Sequence, residues 1–393
     1  MTPAARVQAA IELLDAVIVA ARDGGAPADR LIADYFRTRR YAGSKDRRAV
    51  RELVYAAIRA CGPIPESGRA AMLRLAQLDP AIAPLFEGAA HGPAPLLADE
   101  TVAQGGLAPK WLVERLAASG IAGPEATALL DRAPLDIRVN TLKAERSGIV
   151  LPAAARPTDA PQGLRLEPGT VVEQWDAWSG GQIEVQDTGS QLACLATRAT
   201  PGETVIDLCA GGGGKTLALA AAMENRGTLI AADTGRQRLA RLAPRAERAG
   251  AGMIETRLLD PGRELAVLSD MMGKADAVLV DAPCSGTGTW RRNPEARWRL
   301  NDVRMKRLID LQKRLIDVGS ALVRPGGRLI YVVCSLLDEE GARHADAFLE
   351  AHVEWTAEPV NLPLGRPRGK GWRLSPFHDG TDGFFIASLS RAC

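Results

Sequence analysis

From about residue 186 onward, short apolar runs alternate with amphipathic stretches, and this pattern restricts the fold more than any other feature of the chain. TVIDLC (204–209), GTLIAAD (227–233), ADAVLVDAP (275–283), GRLIYVVC (327–334) and GFFIASL (383–389) read as strands. KTLALAAAME (215–224) and RMKRLIDLQKRLIDVGSALV (304–323) carry helical periodicity. Apolar strands separated by amphipathic helices predict a mostly parallel sheet covered on both faces, that is, an α/β domain.

Upstream the texture differs. Val7, Ile11, Leu14 and Ile18 form one helical stripe, and Leu31, Ala33 and Tyr35, then Val50, Leu53, Val54, Ala57 and Ile58, predict further buried faces. Near Pro134 short β-like pieces begin, LDIRVNT (135–141), GLRLE (163–167) and VVEQW (171–175). With 393 residues the chain exceeds what a single core usually supports. Three domains are expected: helical over 1–129, a small α+β connecting domain over 130–185, and the α/β domain over 186–393.

No apolar run reaches the roughly 20 residues of a spanning helix. The six cysteines lack CxxC spacing, so reduced thiols in the cytoplasm are expected, with neither a disulfide framework nor a thiolate metal site. The net charge is only +2, yet residues 291–314 hold nine Arg/Lys against three acids, and 236–248 hold five arginines against one glutamate. Such clusters suit a polyanion, and no membrane partner is expected.

Two features carry chemistry. VIDLCAGGGGKT (205–216) places an acid at a strand end before a glycine turn and a helix start, an arrangement that lets a nucleoside cofactor approach the backbone. A P-loop in the register GxxxxGKT would need glycine where Cys209 stands, and the run also lacks the usual open spacing, while a dinucleotide site would leave two later cysteines unexplained. Asp233, ending the next strand, suits ribose hydroxyls, and Asp207 suits the turn itself or a cofactor amine. The candidate cofactor contacts are Asp207, Cys209, Ala210, Gly211, Gly212, Gly213, Gly214, Lys215, Asp233, Arg238, Asp260 and Asp281.

The second feature is Cys284 in DAPCSGTGTW (281–290) and Cys334 in GRLIYVVCS (327–335), each just past a predicted strand. A thiolate adding to carbon 6 of cytosine makes carbon 5 electron-rich, so paired thiols beside a cofactor point to covalent activation of a base. Asp281 is placed to stabilise charge at ring nitrogen 3. Which cysteine attacks is open on spacing alone.

DAPCSGTGTW, VVCSLL (332–337), DLCAGGGGKT (207–216) and TDGFF (381–385), extended by PLDIRVNT (134–141) and VQDTGSQLA (185–193), together resemble the bacterial 16S ribosomal-RNA cytosine-5 methyltransferase family. The resemblance implies a class I methyltransferase with a Rossmann-like sheet, S-adenosyl-L-methionine as cofactor, and a NusB-like helical RNA-binding domain at the N-terminus. It also implies Cys334 as the nucleophile, Cys284 as the group that releases the product, Asp281 at the cytosine and Lys215 in the active-site region, with Asp233 at the ribose and Asp260 on the adenine side. Val333 stands where many relatives carry threonine. The expected partner is 16S ribosomal RNA or a small-subunit assembly intermediate, met by a monomer, with Trp290, Arg291, Arg292, Arg297 and Trp298 forming part of the RNA contact. Transfer-RNA methylation and a catalytically inactive assembly factor are the competing readings.

Overall fold

A computed structural model describes residues 1–393. Its contacts divide into two units: one formed by Met1–Asp131 with Thr289–Asp302, the other by Arg132–Gly288 with Val303–Cys393.

The first unit is helical: Pro3–Asp23, Ala28–Arg37, Ser44–Ala60, Gly68–Leu78 and Lys110–Ala118, with shorter turns between. Val7, Ile11, Leu14 and Ile18 are buried as their period predicts. In the second helix Ile32 and Phe36, four residues apart, face the core, whereas Ala33 is exposed and Leu31 and Tyr35 are half-buried. The expected 31/33/35 stripe follows a strand's period of two, and the helix buries the i, i+4 pair instead.

Residues 289–302 have their own place in this unit. Trp290, Arg297 and Trp298 are buried, and Arg291 is only 6% exposed. The expected RNA contact over this segment therefore gives way to a packing role for these four side chains. Pro294–Arg299 forms a 3-10 turn whose charged groups serve helix ends. Glu295 Oε1 accepts from the Ala28 N–H at 3.1 Å, at the amino end of the second helix. Arg297 donates to the carbonyls of Ile58 and Cys61, both at 2.6 Å, at the carboxyl end of the third. Arg299 donates to Ala20 at 3.2 Å and to Gly25 at 2.9 Å, at the carboxyl end of the first. Acid at an amino end and guanidinium at carboxyl ends match the helix dipoles and satisfy groups that helices leave unpaired.

In the second unit, β1 (Leu135–Val139), β2 (Arg156–Pro157), β3 (Gly163–Leu166) and β4 (Ile183–Val185) form an antiparallel sheet in the order β2-β3-β1-β4. Buried Asp136 accepts from Nε and Nη2 of Arg165, at 2.7 and 2.9 Å, and from the Thr188 hydroxyl at 2.7 Å, so β1 is tied to β3 and to the helix Thr188–Leu195.

The main sheet contains β5 (Thr204–Asp207), β6 (Thr228–Asp233), β7 (Ile254–Leu258), β8 (Ala275–Asp281), β9 (Val323–Val333), β10 (Trp355–Glu358), β11 (Arg366–Arg368), β12 (Gly371–Leu374) and β13 (Phe384–Arg391). The order is β11-β12-β13-β9-β8-β5-β6-β7, with β10 on β13. β7, β6, β5, β8 and β9 run parallel, and β10 to β13 add antiparallel strands, so the sheet is mixed where a mostly parallel one was expected. Successive residues serve opposite faces. Ile206, Val278 and Val280 pack with Leu315, Ile316 and Leu322 of the helix Asp302–Leu322. Val205, Ala277 and Leu279 pack with Leu217 and Leu219 of the helix Gly214–Ala222. No helix is long and apolar enough to cross a membrane.

Candidate active site

The chain leaves β5 and β8 in opposite directions across the sheet, which opens a crevice at their carboxyl ends, where open α/β sheets bind ligands. A cavity of about 530 Å³ lies there. Asp207, Cys209, Ala210, Gly211, Gly212, Gly214, Lys215, Asp233, Arg238, Asp281, Cys284 and Cys334 all line it, bringing together most of the residues singled out from sequence. Gly213 sits behind the lining. Its φ is 83°, and a Cβ there would meet Leu242 at 2.1 Å, so the turn into the helix requires glycine. Asp260 is exposed and off the cavity wall, while its neighbours Leu259 and Pro261 are on it. Ser190, Glu264, Leu311 and Arg314 line the cavity without having been anticipated. Arg314 pairs with Glu264 at 2.9 Å, and only the basic run around 304–314 hinted at either residue.

Asp207 is fully buried. Oδ2 accepts from the Thr216 hydroxyl at 2.6 Å, and Oδ1 has no partner. Burial, with the charges of Asp281 and Asp233, pushes its carboxyl up from 3.8 to about 7. The folded protein therefore holds this proton more tightly than the unfolded chain does. The resulting cost in stability grows as pH rises from about 4 to about 7, and stays in full above that. Asp207→Asn is expected to stabilise the ligand-free protein at pH 8, by on the order of 3 kcal/mol, and to change little at pH 4. Thermal melts at the two pH values check this.

Asp233 Oδ2 accepts from the Gly211 N–H at 2.8 Å, while Oδ1 takes the Gly235 N–H at 2.5 Å and Arg238 at 2.8 Å. Three of about four acceptor positions are used, which leaves room for a hydroxyl donor. An S-adenosylmethionine-type ligand fits this set. The unpaired Oδ1 of Asp207 suits a cationic amine, Asp233 retains capacity for a ribose, and a Cβ built on Gly214 meets no atom within 4 Å, which leaves open space beside the turn.

Cys284 follows β8 by three residues and Cys334 follows β9 directly. These strands are parallel neighbours with Asp281 opposite Val332, so the two loops leave the sheet side by side. The sulfurs are 3.3 Å apart. Contact with Cys334, then burial, holds the Cys284 thiol well above its usual range. Lys215 Nζ meets Asp281 Oδ2 at 2.6 Å and lies 5.7 Å from the Phe384 ring centroid. Burial works against this ammonium, yet the Asp281 charge outweighs it and the Lys215 pKa is raised. Behind the loops Gly288 and Gly383 touch backbone to backbone: the Gly383 N–H donates to Gly288 O at 2.8 Å, and a Cβ on Gly288 would meet Gly383 O at 2.1 Å. Val333 is fully buried in the apolar layer with Tyr331 and Phe385, a place that suits a hydrocarbon side chain.

Cys61 is buried in the helical unit and Cys194 is buried without lining the cavity, and burial pushes each thiol up to about 11. Cys393 is exposed.

A family model described as 16S rRNA methyltransferase RsmB/F matches residues 194–390. The chain is 34% identical over 302 residues to a probable ribosomal RNA small subunit methyltransferase B of Synechocystis sp., a match spanning 72% of this chain and 67% of that protein. It is 35% identical over 297 residues to ribosomal RNA small subunit methyltransferase B of Xylella fastidiosa, with 72% and 67% covered. Among solved structures, that of PH0851 aligns over 100% of both chains with a TM-score of 0.77 and 25% identity.

Proposed function

The chain belongs to the RsmB/F family of 16S rRNA methyltransferases, and from that premise we propose that it methylates carbon 5 of a cytosine in 16S ribosomal RNA. The observation that carries the reading is the pair of sulfurs 3.3 Å apart on the wall of the cofactor-sized cavity.

S-adenosylmethionine is the cofactor, and when bound it supplies an electrophilic methyl group. Asp207, the backbone of Gly211 to Gly214 and Asp233 would hold it. The remaining work belongs to the chain's own side chains. Cys334 adds its sulfur to carbon 6 of the cytosine, and the electron pair of the 5,6 double bond shifts into the ring and builds up at carbon 5. Asp281, with Lys215 fixing one of its oxygens, presents a hydrogen-bonding edge to nitrogen 3 and stabilises that shift. Once carbon 5 carries the methyl group, Cys284 takes its proton, the double bond re-forms and the Cys334–carbon 6 bond breaks.

The substrate is naked 16S RNA or an assembly intermediate of the small subunit, met in the cytoplasm by a monomer. The test is a map of 5-methylcytosine in total RNA with the gene present, deleted, and restored as wild type or as Cys334→Ala. One 16S position is expected to lose its mark on deletion and to regain it only with the wild-type gene. An unchanged map overturns the reading, and loss of a transfer-RNA mark alone redirects it to the other substrate.

A further inference from the structure

We propose that Glu340 is a positioning residue that holds the two cysteine loops in one register, by gathering on a single carboxylate the residues that directly follow Cys284 and Cys334. Glu340 is fully buried. Its Oε1 accepts the Ser285 N–H at 2.8 Å and Gln312 Nε2 at 2.9 Å. Its Oε2 accepts the Ser335 hydroxyl at 2.5 Å and also the Ser285 hydroxyl. The Tyr331 hydroxyl, from β9, donates to the Glu340 carbonyl at 2.5 Å and fixes the backbone that carries the carboxylate.

The four carboxylate donors are neutral, so nothing here is an ion pair in the ordinary sense. A buried carboxylate without a cation is costly and persists only when its oxygens are fully hydrogen-bonded. That cost is met by groups from three segments: Ser285 after β8, Ser335 after β9, and Gln312 in the helix Asp302–Leu322. Gln312 also donates to Pro283 O at 2.8 Å, next to Cys284. Around the same point Thr287 Oγ1 lies 3.1 Å from Ser335 Oγ and accepts the Leu336 N–H at 2.8 Å, while the Gly288 N–H donates to Cys334 O at 3.1 Å. β-sheet register brings the strands together only as far as Asp281 and Val332. Beyond the sheet each cysteine stands on a loop, and the 3.3 Å separation of the sulfurs depends on what joins those loops. Glu340 joins them directly, and a displacement of about 1 Å at reacting groups costs on the order of 10²-fold in rate.

The idea that both thiols react rests on the proposed function, but the clamp does not, and the test separates the two. The probe is phenylarsine oxide, which binds two close thiols with release of water and no change of oxidation state: one As=O is replaced by two As–S bonds. In the full-length protein, the capture attributable to the pair is defined by its loss in Cys284→Ala/Cys334→Ala. Glu340→Ala is expected to weaken that capture at least about tenfold and to lower kcat by about 10²-fold, with cofactor affinity and KM for RNA within about threefold of wild type. Glu340→Gln keeps a side chain able to bond all four groups, with the hydroxyls reversed, and is expected to restore both to within about tenfold. If Glu340→Ala does not fold, Ser285→Ala/Ser335→Ala removes the hydroxyl arms and is expected to act in the same direction, by about tenfold. Wild-type capture and turnover in Glu340→Ala, or in the double serine variant where that is the one measured, overturns the proposal. Capture that depends on Glu340 in a protein that methylates no RNA leaves the clamp standing and removes the methyltransferase reading. Methylation with capture indifferent to Glu340 does the reverse.

Discussion

Cys334→Ala is expected to abolish methyl transfer, by about 10⁴-fold or more, and to prevent any RNA–protein adduct, whereas Cys284→Ala is expected to accumulate the adduct. Loss of a covalent nucleophile removes the step on which all later ones depend, and losses of this size are what such substitutions produce. Loss of Cys284 leaves the addition intact and removes the group that takes the carbon 5 proton, so the sulfur–carbon bond outlives the methylation. Denaturing gels of each variant with substrate RNA and cofactor, alongside methyl incorporation, distinguish the two. Equal behaviour of the two variants would mean that the sulfurs, though 3.3 Å apart, do not divide the work. An adduct that persists in Cys334→Ala and vanishes in Cys284→Ala would exchange the roles.

The second large effect lies in the helical unit. Arg297 is fully buried, and its guanidinium serves the carbonyls of Ile58 and Cys61 at the end of the helix Ser44–Ala60. Burial lowers its pKa to about 10, so it remains charged at neutral pH. Arg297→Ala is expected to cost about 3–5 kcal/mol, since it leaves those carbonyls unpaired in a buried place and opens a cavity beside Trp298. Arg297→Met, which keeps most of the volume, is expected to recover only the packing part. Thermal and urea unfolding measure both. An exposed comparator, Lys306→Ala on the helix Asp302–Leu322, is expected to leave stability within about 0.5 kcal/mol. A stable Arg297→Ala variant with weakened RNA binding would return the segment 290–299 to the role of an RNA contact.

That segment shows where linear reading fails. Trp290, Arg291, Arg297 and Trp298 have the composition of a nucleic-acid surface, and charge with aromaticity is the usual sign of one. The same composition serves a segment that caps helices, because carbonyls at a helix end and phosphate oxygens both call for guanidinium groups. The partners, Ala20, Gly25, Ile58 and Cys61, lie more than 200 residues earlier, and no local pattern reveals them. β7 escaped notice for a related reason. IETRL, at the sheet edge, has two exposed residues and none fully buried, so it lacks the apolar run that marks the central strands. Glu340 was equally silent, one acid among several after Cys334, its role visible only once Ser285 and Ser335 share it.

What the sequence determined by itself was the set of parts. Apolar strands in β5, β6, β8, β9 and β13, the glycine turn, the strand-end acids Asp207 and Asp233 and the two loop cysteines are all local signals, because period, glycine and strand-end position act over a few residues. Tertiary structure decided which parts meet and in what state. The sulfurs converge through the pairing of β8 with β9 and the shared carboxylate of Glu340; the Asp207 carboxyl is pushed up through burial; Arg297 turns inward through carbonyls far away in the chain. Each of these depends on distance and on exclusion of water, which only the folded chain sets.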